Sequence, residues 1–391
     1  MNASFDVVIV GGGVTGAAVG YGLAKRGVKT CLVDAVPTFS RASRANMGLI
    51  WCQSKALGCP QFVRWGFASS RAYGKLAAEL KELSGIDTGY APTGGIIPCL
   101  GEAELEARAQ FIEKLRAETE DGTYPASVLS RKELEGMLPK VPFGPEVSGG
   151  IWSDMDGYVD PLHLMFAFRK SFVRLGGTLF AGERVSEVKP SGKGYAVVCG
   201  GRTLECGKAV LAAGLGVRKL AAQLGTDIPV FPNKSQVMLL ERTPADVLPI
   251  PLLGIARTFG GTVMIGAAHE NMGMDRRLTP EVLAANAQWA VRVWPELERK
   301  RILRFWTGLR VWPKDAYPIY DRIPGHENAF VFAMHSAVSL AAILEQALPD
   351  YVMGKPLPPD GAIFGLSRFA GGASGFQGSA ASSPHAEAPN K

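Results

Sequence analysis

The pattern of hydrophobic and polar positions predicts a strand–helix–strand unit at the beginning of the chain. Residues 5–10 form a short apolar, β-branched run that is typical of a strand buried on both faces. Apolar residues then recur at helical spacing over residues 14–24, and Gly27 follows where a helix commonly ends. Residues 30–33 form a second apolar run, which ends at Asp34. The order predicts a β-α-β unit in which the two strands lie parallel.

Hydrophobic patterning also predicts the later elements. Helices are expected at residues 61–83, 102–118, 161–175 and 337–348, and strands at residues 178–188, 194–199, 209–213, 230–241, 262–267 and 329–334. Several of these strands alternate or are flanked by turns, which is typical of an antiparallel sheet. We therefore expect an α/β fold with a Rossmann-like first domain and an α+β second domain built on a mostly antiparallel sheet. Residues 367–391 are rich in Gly, Ala and Ser and are expected to form a disordered tail.

Composition narrows the class of protein. A chain of 391 residues, at about 150 residues per domain, is expected to form two or three domains. The net charge of +6 is not gathered into a basic run, which argues against nucleic-acid binding. No charge-free apolar stretch reaches about 18 residues, so no transmembrane helix is expected. Residues 2–6, at the start of the chain, are too short and polar for the apolar region of a signal peptide, so none is expected. The six cysteines lack metal-ligand spacing, so we expect no metal site, reduced thiols and a cytoplasmic protein.

The stretch "VIVGGGVTG" carries candidate chemistry at the first strand–helix turn. Gly11, Gly13 and Gly16 have the spacing of a loop that holds the pyrophosphate of a dinucleotide against a helix N-terminus. Asp34 ends the second strand, where a carboxylate can accept hydrogen bonds from ribose hydroxyls. The acid argues against NADP, but the loop alone does not distinguish NAD from FAD.

The wider sequence resembles one family of flavin enzymes. "GGGVTGAAVGYGLAKRGVKTCLVD" resembles the extended fingerprint of FAD-binding oxidoreductases. Four further segments, at residues 149–188, 209–225, 306–325 and 328–348, resemble in order those of the D-amino-acid oxidase and glycine oxidase family. The resemblance spans residues 5 to about 368 and implies FAD as the cofactor. Relatives with covalent flavin carry a cysteine near the third segment, and this chain has none after Cys206, so FAD is expected to be non-covalent.

The resemblance also implies a domain division and a set of cofactor-binding residues. The FAD-binding domain would comprise residues 1–55, 145–228 and 315–366, and the substrate domain residues 56–144 and 229–314. In the loop after the second strand, two arginines suit a diphosphate, although a solvated basic loop has the same composition. The expected cofactor-binding residues are Gly11, Gly13, Val14, Thr15, Gly16, Asp34, Ala35, Arg41, Ser43, Arg44, Asn46, Gly48, Leu49, Val185, Ala213, Gly214, Arg310, Ser336, Ala337, Val338, Ser339 and Leu340.

Arg310 is a candidate catalytic residue in the stretch "WTGLRVWPKD". Its apolar neighbours predict a cation that needs a partner, because an unpaired buried charge is costly. That partner is either an internal Asp or Glu or the carboxylate of a substrate, which the planar guanidinium binds in bidentate fashion. The resemblance favours the substrate carboxylate.

The stretch "MHSAVSLAA" is expected to face the flavin. The pattern predicts that a strand ends at Met334 and that Ser336 caps a following helix, whose positive end would stabilise the charge of reduced flavin. The family typically has glycines here, where this chain has Met334, Ala337 and Val338. This variant is more similar to the flavin subunits of heteromeric opine oxidases and D-hydroxyproline dehydrogenases, which implies a partner subunit.

The expected reaction is FAD-dependent oxidation of the C–N bond of a small amino or imino acid. The substrate would be of the D-amino acid, glycine or sarcosine, D-hydroxyproline or opine type, with hydride transfer to flavin N5 and hydrolysis of the imine. His335 is a candidate catalytic residue, Tyr317 a candidate hydrogen-bonding residue, and His269 is expected in a surface turn. Two alternatives remain: an FAD-dependent dehydrogenase of 2-hydroxy acids or glycerol 3-phosphate, and an electron-relaying flavin subunit of a complex.

Overall fold

The computed structural model describes residues 3–35, 42–266 and 268–370. Its helices are α1 (Val14–Lys25), α2 (Pro60–Ser84), α3 (Glu102–Ala117), α4 (Arg131–Met137), α5 (Pro161–Arg174), α6 (Val217–Ala222), α7 (Pro280–Val293), α8 (Ala341–Val352) and α9 (Pro359–Ala362), with 3-10 turns at Gly214–Gly216, Pro295–Arg299 and Leu366–Phe369. Its strands are β1 (Ala3–Val10), β2 (Thr30–Asp34), β3 (Leu49–Ile50), β4 (Gly95–Leu100), β5 (Ser127–Ser130), β6 (Val147–Ser153), β7 (Gly157–Tyr158), β8 (Thr178–Ala181), β9 (Val185–Ser191), β10 (Gly194–Cys199), β11 (Arg202–Leu211), β12 (Val230–Arg242), β13 (Ile255–Arg257), β14 (Thr262–Gly266), β15 (Ile302–Pro313), β16 (Ile319–Ile323) and β17 (His326–Ala333).

A parallel-dominated sheet forms the first layer of the fold. Its strand order is β16-β17-β11-β1-β2-β8, and β1 lies parallel to both β2 and β11. Alternate residues of β1 enter two different cores: Val7 and Ile9 face one side, and Val8 and Val10 face the other. The apolar run therefore forms a strand covered on both faces, as its composition predicts.

Helices α1, α5 and α8 cover one face of this sheet. Small residues in α1 allow the close approach, since a Cβ atom at Gly22 would lie 2.1 Å from the Glu345 carbonyl oxygen of α8. The other face is covered by α6 and by the antiparallel strands β9 and β10, which continue from β11. This layering places the carboxyl ends of β1 and β2 beside the N-terminus of α1.

The second part of the fold is built on antiparallel strands. One sheet has the order β13-β14-β12-β15, another has the order β4-β6-β5, and a bridge between Ile96 and Leu252 joins them. Their shared core is closed by α4 and α7. The α/β fold with a second, mostly antiparallel sheet is thus confirmed.

Several predicted boundaries differ from the structure. The strand predicted at residues 178–188 is two strands, β8 beside β2 and β9 beside β10. The predicted domain boundary at residue 145 lies just before β6, which pairs with β4 and β5, and the domain division stays a prediction. The chain is folded as far as Ala370, so a tail cannot begin at residue 367; residues 371–391 lie outside the described part.

Candidate functional site

The glycine loop lies at the N-terminus of α1, between β1 and the helix. Gly11 has a φ of 106°, and a Cβ atom there would lie 2.5 Å from the Ala212 carbonyl oxygen. A Cβ atom at Gly16 would lie 1.8 Å from the Gly11 carbonyl oxygen, so helix and loop pack too closely for any other residue. Gly13 is the N-cap of α1 and offers no side-chain cap. The positive end of a 12-residue helix therefore opens at this loop, which suits an anionic pyrophosphate.

Asp34 is held against this loop by an arginine that the sequence analysis missed. The Asp34 carboxylate accepts a hydrogen bond from the Gly12 amide at 2.7 Å and forms an ion pair with Arg169 of α5. Arg169 also donates from Nε and Nη2 to the Gly12 carbonyl oxygen, at 2.9 and 2.7 Å. Both charged side chains are buried. Arg169 thus fixes Asp34 at the carboxyl end of β2. The sequence marks Arg169 only as a charged residue among the apolar residues of a helix.

The loop before β3 closes one side of the glycine loop. Ser43 Oγ accepts a hydrogen bond from the Val14 amide at 3.0 Å, so it satisfies one N–H group at the start of α1. Asn46 shapes its own loop: Oδ1 accepts from the Gly48 amide at 2.8 Å, and Nδ2 donates to the Ser43 carbonyl at 2.8 Å. Gly48 has a φ of 75° and lies against the Val159 carbonyl. Arg41 lies outside the described residues.

Arg310 lies on β15, and its guanidinium bonds only neutral partners among the described residues. Nη1 donates to Asn233 Oδ1 at 2.9 Å and to the Ala268 carbonyl at 2.8 Å, and Nη2 donates to Ser235 Oγ at 2.8 Å. Burial lowers the pKa of Arg310 to about 10, which leaves it cationic at neutral pH. In the described chain, no carboxylate lies within 4 Å of this side chain, and Glu270 is instead paired with Lys234 at 3.1 Å. Among the described residues, Arg310 is therefore a partly desolvated cation without an ion-paired carboxylate, and the Glu270 charge acts on it only from beyond 4 Å.

Two histidines lie next to Arg310. His269 Nδ1 is 3.0 Å from Asn233 Oδ1 and 3.4 Å from Arg310 Nη1, so the expected surface-turn position of His269 is wrong. The rings of His269 and His335 both contact the Trp312 ring, with centroid distances of 5.3 and 4.7 Å. Burial, then the Arg310 charge, lowers the pKa of His269 to about 3 and that of His335 well below its usual value. Both imidazoles are neutral near pH 7.

The segment after β17 departs from the predicted helix cap. Helix α8 begins at Ala341 with Leu340 as its N-cap, so Ser336 is not the cap. Ser336 instead has a φ of 64°, and its hydroxyl lies 3.1 Å from His335 Nδ1. The turn is fixed from α2, because Tyr73 Oη donates to the Val338 carbonyl and Ser69 Oγ donates to the Ser339 carbonyl, both at 2.8 Å.

One cavity of about 2190 Å³ joins these features. It is larger than the roughly 300–1,000 Å³ typical of a site for one small ligand, so a dinucleotide and a substrate can share it. Gly16, Gly48 and Leu340 are packed against neighbouring residues and do not line it, so their contact with the cofactor stays a prediction. The predicted residues on its wall are Gly11, Gly13, Val14, Thr15, Asp34, Ala35, Ser43, Arg44, Asn46, Leu49, Val185, Ala213, Gly214, Arg310, His335, Ser336, Ala337, Val338 and Ser339.

Other wall residues were not foreseen, among them Trp51, Lys55, Asn233 and Ser235. Nothing in their local sequence marks them, because β12 brings two of them to Arg310 only through its pairing with β15. In the described ranges, no group of three His, Cys, Asp or Glu side chains could hold a metal ion. Over the same ranges, every helix is too short or too polar to cross a membrane.

Comparison with known proteins agrees with this arrangement. An opine oxidase subunit of Agrobacterium tumefaciens (strain Ach5) is 34% identical over 365 residues, which cover 93% of this chain and 97% of the relative. Glycine oxidase of Geobacillus kaustophilus (strain HTA426) is 27% identical over 378 residues, covering 95% of this chain and 99% of the relative. The crystal structure of glycine oxidase from Geobacillus kaustophilus matches with a TM-score of 0.86 at 27% identity, over 94% of this chain and 99% of that one.

The family model described as "FAD dependent oxidoreductase" (DAO) matches residues 6–344. That range contains the glycine loop, Asp34, Arg310 and the turn after β17. The donor set at the glycine loop and the size of the cavity fit the cofactor of this family. The chain therefore belongs to the DAO family of FAD dependent oxidoreductases and is an enzyme that uses FAD.

Proposed function

We propose that this enzyme oxidises the C–N bond of a small amino or imino acid. The observation that carries the proposal is Arg310, a cation with neutral hydrogen-bond partners on the wall of the same cavity that the glycine loop lines. An amino acid supplies the missing carboxylate and places its amine within the same cavity. A fixed guanidinium is suited to this task because it binds a carboxylate through two parallel hydrogen bonds.

The residues of the chain divide this task between them. The glycine loop and the N-terminus of α1 would hold the pyrophosphate of FAD, and Asp34 would hold the adenosine ribose. The turn at residues 336–339 lines the same cavity, and two hydrogen bonds from α2 hold it in place. Bound FAD supplies the acceptor for the hydride that leaves the α-carbon, and water then hydrolyses the resulting imine.

Neutral imidazoles are compatible with an amine substrate. His269 and His335 beside Arg310 add no positive charge near pH 7, since their pKa values lie far below it. A substrate nitrogen must be uncharged before its α-hydrogen leaves as hydride, and a neutral imidazole can accept a hydrogen bond from it. We place His335 in this role because its side chain lies on the cavity wall next to Ser336. Orientation in the cavity would supply much of the remaining rate.

The names of the relatives support the same substrate chemistry. An opine oxidase and a glycine oxidase both act, by name, on amines that carry a carboxylate. The opine oxidase relative is named as one of several subunits, which supports a partner subunit for this chain. That partner would receive electrons from the reduced flavin or bind substrate with it.

Anaerobic reduction of the flavin tests the proposal. The purified, FAD-loaded protein is mixed without oxygen with D-amino acids, glycine, sarcosine, D-hydroxyproline and opines, and the flavin absorbance is followed. We expect at least one of these amines to bleach it, whereas lactate and glycerol 3-phosphate leave it oxidised. Bleaching by a hydroxy acid alone would reassign the enzyme to alcohol oxidation. Failure of every donor to reduce the flavin, with reduction only through an added partner subunit, would make the chain an electron relay.

A further inference from the structure

A second cation, Lys55, faces the cavity that contains Arg310. It lies between β3 and α2, and its Nζ donates a hydrogen bond to the Trp51 carbonyl oxygen at 2.8 Å. Within the described part of the chain, no carboxylate lies within 4 Å of Nζ, and burial lowers the pKa of this amine. A neutral carbonyl does not compensate a desolvated charge, so among the described residues Lys55, like Arg310, is a cation without an ion-paired carboxylate, and the Asp156 charge acts on it only from beyond 4 Å.

The backbone around Lys55 is strained. Ser54 and Ala56, on either side of it, have φ values of 53° and 63°, in the left-handed region that favours glycine. Each such residue costs on the order of 1–3 kcal/mol and persists only where the surroundings fix it. Strain of this kind clusters at ligand sites, and the two other left-handed residues of the described chain that are not glycine, Ala316 and Ser336, line the same cavity.

Contacts from other elements hold this strained segment in place. Asp156 accepts hydrogen bonds from the Cys52 amide at 2.5 Å and from Gln53 Nε2 at 2.7 Å. The Ser54 amide donates to Tyr124 Oη at 3.1 Å. The Asp156 carboxylate is thus engaged by the backbone and by Gln53, and it forms no ion pair with Lys55.

Lys55 and Arg310 act on the same part of the cavity. The Trp51 residue that binds the Lys55 amine donates its own amide to Ser339 Oγ at 3.0 Å, in the cavity-lining turn that follows His335. The His335 ring contacts Trp312, which lies two residues after Arg310 on β15, and burial, then the positive charges of Arg310 and Lys55, lower the pKa of His335. Glu270 also lines the cavity, but it is already bound by Lys234 and Gln236. A substrate with one carboxylate would satisfy Arg310 and leave Lys55 uncompensated.

We propose that Lys55 binds a second carboxylate, and that the substrate is a secondary amine with one carboxylate on each side of its nitrogen. This inference rests on the proposed oxidation of a C–N bond and narrows its substrate class. Arg310 holds one carboxylate, Lys55 holds the other, and the nitrogen between them lies beside His335. Lys55 is then a specificity-determining residue for dicarboxylic amines.

Binding of thiodiacetate and (methylthio)acetate tests the role of Lys55 without turnover. Both have sulfur in place of the amine nitrogen, and they differ by one carboxylate. By calorimetry on the FAD-loaded enzyme, we expect thiodiacetate to bind at least about tenfold more tightly, as one charge-assisted hydrogen bond predicts. Lys55→Met should abolish this preference while the affinity for (methylthio)acetate stays unchanged. Lys219→Met, which removes a lysine elsewhere on the cavity wall, is the matched control and should retain the preference.

Other outcomes would overturn the assignment. Equal affinity for the two ligands in the unmodified enzyme would contradict it, as would an equal loss of both in Lys55→Met at unchanged FAD content. If thiodiacetate binding survives in Lys55→Met and flavin reduction by sarcosine and iminodiacetate slows equally, Lys55 acts on the amine instead. The more conservative Lys55→Gln provides the same comparison if the methionine variant misfolds. Failure of the proposed function is separate, because it appears as a flavin that no amine reduces whichever ligand binds.

Discussion

Asn233 Oδ1 accepts a hydrogen bond from Arg310 at 2.9 Å and lies 3.0 Å from His269 Nδ1. This one amide oxygen, on β12, orients the cation and an imidazole on the same wall of the cavity. A neutral amide can hold a guanidinium in place without cancelling its charge. The pairing of β12 with β15 therefore brings Asn233 to Arg310 and builds the proposed anion site.

Replacing this amide with a carboxylate should block the anion site. Asn233→Asp keeps the shape of the side chain but gives Arg310 an internal counter-ion, which competes with the substrate carboxylate. We expect the substrate concentration for half-maximal flavin reduction to rise by about 10- to 100-fold, with FAD content unchanged. Ser235→Ala, which removes one hydrogen bond and leaves the charge balance unaltered, should have a smaller effect. Equal effects of the two variants would mean that charge at this position is unimportant.

The Arg169–Asp34 ion pair should matter for both stability and cofactor retention. Arg169→Met leaves a buried carboxylate without its cation, which costs about 3–5 kcal/mol in comparable sites. The thermal midpoint and the fraction of FAD retained on gel filtration should both fall. Arg174→Met, on the same helix but with an exposed hydrogen bond to the Leu83 carbonyl, is the control and should leave both unchanged. An unaltered FAD content in Arg169→Met would show that the position of Asp34 does not affect cofactor binding.

The neutral histidines predict a loss of stability in acid. The pKa of His269 is lowered to about 3 in the folded protein, whereas it is about 6.5 when the chain is unfolded. Below pH 6.5 the unfolded chain binds the extra proton, so the free energy of unfolding falls as the pH drops from 6.5 towards 3. His269→Gln should therefore reduce the loss of stability between pH 7.5 and pH 5 by about 2 kcal/mol.

Chemical denaturation at the two pH values measures this difference. Burial raises the pKa of Asp156 to about 7, so this carboxyl increases the free energy of unfolding as the pH drops from 7 to 3.8. Asp156 is present in every variant, so its contribution cancels when the variants are compared. His163 does not line the cavity, so His163→Gln is the control and should leave the pH dependence of stability unchanged. The same pH dependence in His269→Gln and in the unmodified protein would show that His269 is protonated readily in the folded state.

Residues 367–370 should contribute to stability. Arg368 forms a buried ion pair with Asp315 at 2.7 Å and donates to the Pro318 carbonyl at 2.8 Å. A chain that ends at Leu366 lacks Arg368 and leaves the Asp315 carboxylate buried without its cation. Its free energy of unfolding should therefore be lower, by about 3–5 kcal/mol, than that of a chain that ends at Ala370. Arg64→Met, which breaks the more exposed pair with Asp360, should cost at most about 1 kcal/mol. Matching denaturation curves for the two truncated chains would show that Arg368 is dispensable.

Local patterns in the sequence predicted the glycine loop with its flanking strands and helix, and they singled out Arg310. The run at residues 5–34 specifies two strands, a helix and a glycine turn within one unit, and the structure confirms each of these elements. Arg310 could be singled out because its neighbours in the chain are apolar. Such features need no knowledge of distant contacts.

The sequence could not show what long-range packing decides. Arg169 reaches Asp34 across 135 positions, and Lys55 acquires its place through contacts from Asp156 and Tyr124. Serine often caps helices, but Ser336 lies in a left-handed turn, and α8 begins only at Ala341. His269 follows small residues that suggest an exposed turn, but the bridge between Lys234 and Glu270, together with the β12–β15 pairing, brings it to Arg310.

The anchoring of an amine substrate by Arg310 is the central claim, and anaerobic flavin reduction in Arg310→Lys tests it most directly. The variant and the unmodified enzyme are titrated with the amine that bleaches the flavin most strongly, and both are first shown to contain equal FAD. Lysine keeps the charge but loses the planar pair of donors. We predict at least about a tenfold higher half-saturating concentration in the variant. An unchanged half-saturating concentration, or loss of FAD in proportion to loss of reduction, would contradict the account.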